Sequence, residues 1–352
     1  MAFTTTLLSW YEANGRELPW RGARDPYRIW LSEVILQQTR IQQGREYWER
    51  FVRRWPTVEA LAAATEDEVL REWQGLGYYS RARNLHHAAR QIVAQGHFPH
   101  TLDDIRRLKG VGDYTAAAIG SIAFGLPVAA VDGNVYRVLA RYFGIATPIN
   151  STEGKKEFSQ LAQSLLPQQG DWHGVPSSSA FNQAMMDFGA IQCTPQSPRC
   201  LLCPFVGECV AQRQGRVGEL PVKLKTTKIQ TRHIIYIYVR WQGQTALRRR
   251  PAGDIWQGLW EPLMPVGLEE GNEADVRAAL LSWGVGVGRL RQLRSGVRHV
   301  LTHRIVLADF YLWEPTEKPV LGDEYVWMKE VGVEECGVSR LVEMLLQAVS
   351  EV

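Results

Sequence analysis

The sequence predicts two domains in series, an all-α domain over residues 1–215 and an α+β domain over residues 231–352, joined by a linker over 216–230. Three observations predict this. From Thr4 to about Gln214, apolar residues recur at three- and four-residue spacing in segments closed by Gly or Pro, the period of helices that bury one face. Residues 216 to 232 break that pattern: Arg216, Lys223, Lys225, Lys228 and Arg232 face a single acid, Glu219, with no apolar period. Beyond them His233 to Arg250 alternates and turns at Gln242-Gly243, as a β-hairpin does.

Within the helical part, Asp25-Pro26 starts one helix, Thr57 another, and Thr101-Leu102-Asp103-Asp104 is a capping box for a third. In the second part β-like runs cover His299 to Leu312 and Tyr325 to Met328, with helices near 273–283 and 338–349. At 352 residues the chain can bury two cores of roughly 150 residues each. A 45% hydrophobic and 22% charged composition excludes a disordered or a membrane chain. The most apolar stretch, Thr115 to Val131, is interrupted by Gly120, Gly125 and Pro127 and falls short of a bilayer span. The first residues lack a basic, then apolar, secretory pattern, so a cytosolic protein is expected. A net charge of +3 permits nucleic-acid contact but confines it to local patches.

Four of the five cysteines crowd into one loop. Cys193, Cys200, Cys203 and Cys209 are spaced C-x6-C-x2-C-x5-C, with Pro195, Pro198 and Pro204 stiffening the chain between them. In a reducing compartment such a set reads as a metal site, and four thiolates can enclose either a tetrahedral zinc or a 4Fe-4S cluster. Cys336 stands apart and reads as an ordinary core or surface residue.

Leu108-Lys109-Gly110-Val111-Gly112-Asp113-Tyr114-Thr115-Ala116 joins two helical patterns through Gly-Val-Gly. Glycines there allow a tight turn whose amides, next to a helix N-terminus, favour an anion such as a DNA phosphate. A plain helix-to-helix turn would use the same glycines.

Two carboxylates stand in opposite settings. Glu33 has Ile29, Trp30 and Leu36 as helical neighbours, an apolar face that raises its pKa and keeps a proton on it. Asp132 stands where an apolar run gives way to a helix, and the free amides there favour its anion. Read singly, one is a surface glutamate and the other an N-cap. Read together, they are a proton donor and a fixed charge, the pair that breaking an N-glycosidic bond requires.

These segments carry a family resemblance. The cysteine spacing resembles the iron-sulfur loop of the endonuclease III and MutY glycosylases, and L-x-G-V-G-x-x-T-A resembles their helix-hairpin-helix motif. Leu31-Ser32-Glu33-Val34-Ile35-Leu36-Gln37-Gln38-Thr39 and Val131-Asp132-Gly133-Asn134-Val135 are similar to the two catalytic MutY motifs. The resemblance covers nearly the whole chain, firmly to residue 215 and loosely from 230. It implies an all-α helix-hairpin-helix glycosylase domain with an iron-sulfur loop, followed by a nudix-like α+β domain. It implies one 4Fe-4S cluster on the four cysteines, with Arg199 and Arg213 as phosphate contacts. It implies that Glu33 protonates an adenine at N7, that Asp132 stabilises the cationic or covalent sugar intermediate, and that Tyr114 lies beside them. Endonuclease III relatives carry a Schiff-base lysine at the place of Tyr114, and a phenol cannot form an imine, so a glycosylase without strand cleavage is implied. Where some relatives trap DNA with a lysine, this chain has Tyr136.

The same resemblance implies a partner, double-stranded DNA with adenine opposite 8-oxoguanine, bound by a monomer in the bacterial cytosol. A stacked base must be extruded before it is cut, and the family wedges the stack from motifs found here at Gln38, Thr39 and Tyr78. Gly110, Val111, Gly112 and Asn134 would hold the backbone. Trp20, Arg21 and Asp187 would form the adenine pocket, although a structural Arg-Asp pair accounts for the last two equally well. In the second domain Trp256-Gln257-Gly258-Leu259-Trp260-Glu261 fits the early nudix hairpin, and no acidic nudix box follows. The lesion-sensing loop, often Phe-Ser-His, corresponds to Leu301-Thr302-His303, which keeps the hydroxyl and the imidazole but loses the phenyl ring.

Overall fold

In a computed structural model, described over residues 2–352 apart from 22–23, 169, 225–228, 266–267, 269 and 284–287, the chain begins with a run of helices. These are α1 (Ala2–Asn14), α2 (Pro26–Ile35), α3 (Ile41–Arg54), α4 (Val58–Ala63), α5 (Glu66–Glu72), α6 (Ser80–Gln95) and α7 (Leu102–Arg106). They continue through α8 (Asp113–Phe124), α9 (Gly133–Phe143), α10 (Thr152–Leu165), the two-residue strands β1 (Asp171–Trp172) and β2 (Val175–Pro176), α11 (Ser177–Asp187) and α12 (Val210–Arg213). Then come β3 (Gln230–Val239), β4 (Gln244–Arg249), β5 (Trp260–Glu261), α13 (Glu273–Leu281), β6 (Arg289–Val300), β7 (Arg304–Glu314), β8 (Tyr325–Lys329) and α14 (Arg340–Ser350).

The chain divides into two compact units. One comprises Met1–Ala63 with Asn84–Lys225, the other Ala64–Arg83 with Thr226–Val352. The segment 64–83, which reads as helical-domain sequence, is therefore packed with the C-terminal unit. Its contacts say why: Tyr79 donates to the carbonyl of Val338 at 3.3 Å, Arg83 donates to that of Gln257 at 2.6 Å, and Asp67 pairs with Arg249.

In the first unit an aromatic core of Phe3, Phe158, Phe181, Phe188 and Phe205 joins α1, α10 and α11 to the cysteine loop. Asp25 caps α2 with Pro26 at its first position, as the sequence predicts. Thr101 also caps its helix, but its hydroxyl donates to Asp104, so the reciprocal half of the predicted box is not made. A complete box is instead built by Thr65 and Glu68 on α5. The linker differs too. Residues up to 224 are bound to the first unit, with Val222 accepting from Ile149 at 3.0 Å and Leu224 paired with Asn150 at 2.9 and 3.0 Å. Lys225 and Lys228 lie outside the described residues.

In the second unit β3 and β7 pair in parallel, β6 flanks β7 antiparallel, and β4 lies between β5 and β8 in another sheet. The hairpin expectation is thus corrected. The turn at Gln242-Gly243 forms, with both residues at positive φ, but beyond Trp241 and Gln244 its two arms enter different sheets. Burial explains the split: Ile234, Tyr236 and Tyr238 face the core beside α14, and Ile235, Ile237 and Val239 the core beside α13, so β3 needs cover on both sides. The predicted run from His299 to Leu312 is likewise two strands, broken by the turn at 301–303 that separates β6 from β7. No described helix is long and apolar enough to cross a membrane.

Candidate active site and cysteine loop

The sequence folds α2 so that Ile29, Trp30, Leu31, Val34 and Ile35 are buried, which leaves Glu33 facing a cavity of about 410 Å3. Burial pushes the Glu33 carboxyl up to about 7. The hydroxyl of Tyr114 on α8, which donates to Oε2 at 3.1 Å, and the charge of Arg21 pull the other way, while the charge of Asp132 adds to the rise. The same phenol also touches Met186 Sδ at 3.4 Å.

Asp132 lines the same cavity from the opposite side of the chain's logic, as the N-cap of α9. Its Oδ1 accepts the amides of Asn134 and Val135 at 2.9 and 2.8 Å, and its Oδ2 accepts from Asn134 Nδ2 at 2.7 Å. Burial raises its pKa too, but these bonds and the nearby Arg137 oppose that rise by stabilising the anion. One acid therefore sits with a single donor and the other with three. The structure brings Glu33, Tyr114 and Asp132 to one cavity, together with Trp20, Arg21 and Gln38.

Asp187 is placed differently. Its fully buried carboxylate is held by Arg21 at 2.7 and 2.8 Å, by the backbone amide of Arg16 at 2.9 Å and by the Arg16 side chain at 2.8 Å. Burial alone would raise its pKa, and the two arginines more than reverse this. With its lone pairs taken, Asp187 fixes Arg21 at the cavity and does not itself line it. Among the further residues that line it are Arg16 and Gln183, the latter with Nε2 on Ser179 at 2.9 Å and a buried Oε1 without a partner among the described residues. A chemically typical Gln on a buried helix gives no sequence signal, since only its unpaired oxygen marks it.

The turn between α7 and α8 carries Gly110 at φ 80°, where an added Cβ would stand 2.6 Å from Asn84 Cβ, so only glycine fits. Gly110 and Gly112 are exposed, Val111 half-buried, and Gly112 caps α8. Gln38 is exposed at φ 56° in the turn after α2, with Thr39 beside it. In the second unit the exposed Tyr78, at φ 49°, bonds through its hydroxyl to Thr302, and Leu301, Thr302 and His303 share a cavity with it.

The four cysteines line a single hollow, and Arg199 lies at its rim. Two arginines of α9 hold that loop. Arg137 donates to the carbonyls of Cys193 and Gly189, both at 2.7 Å, and to Asn134 Oδ1 at 2.8 Å; Arg141 reaches Cys193 Sγ at 3.4 Å and the Thr194 carbonyl at 2.7 Å. The helix capped by Asp132 is thus also the clamp of the cysteine loop. Among the described residues no three His, Cys, Asp or Glu side chains are arranged to hold a single metal ion. Four thiols lining one hollow are the soft donor set that an iron-sulfur cluster takes. Arg199 and Arg213 are exposed, and Cys336 lies 3.7 Å from Met328 Sδ, away from the set.

Comparison with known proteins agrees with this architecture. Residues 31–168 match the HhH-GPD superfamily of base excision DNA repair proteins, and residues 235–348 match the NUDIX domain. An adenine DNA glycosylase of Buchnera aphidicola subsp. Schizaphis graminum is 32% identical over 261 residues, covering 73% of this chain and 73% of its own length. The adenine DNA glycosylase of Rattus norvegicus is 43% identical over 236 residues, covering 62% of this chain but only 44% of its own. A solved thermostable thymine-DNA glycosylase is similar with a TM-score of 0.54 at 31% identity, over 60% of this chain and 96% of its own. The chain is a DNA glycosylase and belongs to the adenine DNA glycosylase family.

Proposed function

We propose that this chain removes adenine paired with 8-oxoguanine, or with guanine, from double-stranded DNA and leaves an abasic site. The observation that carries the reading is the shared cavity of Glu33 and Asp132, one carboxyl pushed to about 7 and the other bonded as an anion. Adenine leaves poorly unless protonated. Glu33 donates its proton to N7 as the bond from C1′ to N9 breaks, and the bonding electrons pass into the purine. The sugar left behind is cationic, and Asp132 faces that charge until water adds at C1′ and gives up a proton to the now ionised Glu33. Tyr114 holds Glu33 in place and, lacking an amine, starts no lyase reaction. Gln183, which lines the cavity and whose buried acceptor oxygen has no partner among the described residues, suits the exocyclic amine of adenine.

Gly110, Val111, Gly112 and Asn134 hold the backbone in this reading, and Gln38 and Thr39 wedge the opened stack. Tyr78, Leu301, Thr302 and His303 sense the opposing oxidised purine, with the Tyr78–Thr302 hydroxyl contact as the supporting observation. Cys193, Cys200, Cys203 and Cys209 would hold one 4Fe-4S cluster, which supplies structure to the loop that carries Arg199 and no chemistry to the bond being broken. The protein acts as a monomer in the cytosol.

Single-turnover assays on duplexes with adenine opposite 8-oxoguanine, adenine opposite guanine and thymine opposite guanine test the substrate and the chemistry together. Free adenine from the first two, and its loss in Glu33→Gln, is the expected result. Excision unchanged in Glu33→Gln rejects the mechanism, and thymine release rejects the substrate.

A further inference from the structure

The cavity of the second unit has an aromatic wall on a segment distant in sequence from the sensing loop. It measures about 580 Å3 and is bounded by Tyr78, by Gly253 to Trp256 and by Leu301 to Arg304. The loop 301–303 offers no phenyl ring, because Leu301 stands at the position that often carries phenylalanine, and its one ring is the smaller imidazole of His303. Trp256 supplies a larger one. Its backbone sits at φ 61°, a region that a bulky side chain occupies only when its surroundings fix it there. Tyr78, the other non-glycine residue at positive φ among those that bound this cavity, carries the same signature at φ 49°.

What fixes Trp256 is a charged network beneath it. Asp254 accepts from Arg232 at 2.7 and 3.0 Å and from Arg250 at 2.5 Å, and takes the Ile255 amide at 2.7 Å. Arg250 is itself buried against Glu261. Its guanidinium lies 5.6 Å from the centre of the Trp256 ring, and the His299 ring lies 5.8 Å from it. The indole is therefore held from behind yet remains half-exposed at the cavity. A large, supported, partly open aromatic surface is what a nucleobase stacks on.

We infer that Trp256 is a specificity-determining residue of this chain: its indole is the stacking face for the oxidised purine, while the hydroxyls of Thr302 and Tyr78 read that purine's edge. The inference rests on the reading of the second unit as the lesion sensor. Stacking is blind to base identity, since every base has a π-face. Its energy counts toward the lesion because the hydroxyls admit the lesion to the ring. Asp254 is then a positioning residue that acts through Trp256.

The test uses the full-length protein as purified and duplexes with 8-oxoguanine or guanine opposite an uncleavable adenine analogue. The readout is the ratio of the two dissociation constants. Trp256→Leu, which keeps apolar bulk without a ring, is expected to lose about tenfold of the wild-type preference, and Trp256→Phe to keep it within about threefold. A leucine variant with the wild-type ratio overturns the inference. A wild-type protein without any preference overturns the sensor reading instead. Should the leucine variant melt early, Trp256→Met, flexible enough to fill the space without a ring, replaces it with the same two outcomes.

Discussion

The phenol of Tyr114 donates to Oε2 of Glu33 at 3.1 Å, tying the first turn of α8 to the last turn of α2. A donor to a carboxylate favours its charged form, so this bond works against the burial that raises Glu33 to about 7. Tyr114 therefore tunes the acid as well as orienting it.

The pH dependence of single-turnover excision follows. As a general acid Glu33 acts when protonated, so the rate should fall as pH rises through about 7. Tyr114→Phe removes a bond to the anion and should move that descending limb to higher pH. A limb that stays in place, or moves down, contradicts the assignment of the acid.

Stability should respond in the same window. The native Glu33 binds its proton more tightly than the unfolded one, so its favourable contribution is full below the ordinary value of 4.5 and is lost as pH rises through about 7. Glu33→Gln carries no such loss. Its melting temperature should match wild type near pH 4 and exceed it by a few degrees at pH 8, as is common where a functional site is held in a strained state. Equal melting temperatures at pH 8 would show that the carboxyl is not desolvated in solution.

Asp187 offers the opposite sign. Its lowered pKa means stability present above the unfolded value and lost as pH falls through the folded one. Asp187→Asn at neutral pH leaves Arg16 and Arg21 facing a neutral amide at a buried site, which should cost about 3–5 kcal/mol in urea unfolding. The gap from wild type should narrow in acid.

Gly110→Ala meets two penalties at once, a positive φ and a Cβ 2.6 Å from Asn84 Cβ. The expected loss is about 1–3 kcal/mol of stability. Binding should weaken equally on mispaired and fully paired duplexes, because a backbone grip carries no sequence information. Weakening confined to one mispair would assign this turn a different role.

The cysteine set makes a prediction of colour. Protein purified without chelators should be brown with broad visible absorption and contain iron, and Cys203→Ser should lose both. A colourless, zinc-bearing protein would overturn the cluster and leave the loop's structural role standing.

The fold and the site were legible in the sequence to different depths. Asp25-Pro26 and the Asp132 N-cap announced themselves because caps are local chemistry, and the two structures at those positions match. The parting of β3 from β4 was not legible, because a turn signal says nothing of which strand each arm will pair with. The uninterrupted apolar run from Ile234 to Val239, all six of which are buried, was the available hint. Asp187 was readable as an Arg partner but not as one shared with Arg16, 171 positions away. Gln183 could be found only once its oxygen was seen to be unpaired.

The assignment of Ala64–Arg83 to the C-terminal unit means that the polypeptide passes between units after Ala63, after Arg83 and again after Lys225. A protease nick in the tether, or a clone that starts at Thr226, would thus amputate the smaller unit rather than liberate it. Val338, Gln257 and Arg249 would each be stripped of a partner. A detachable module in the sequence is, in three dimensions, a graft that cannot be lifted out with one cut.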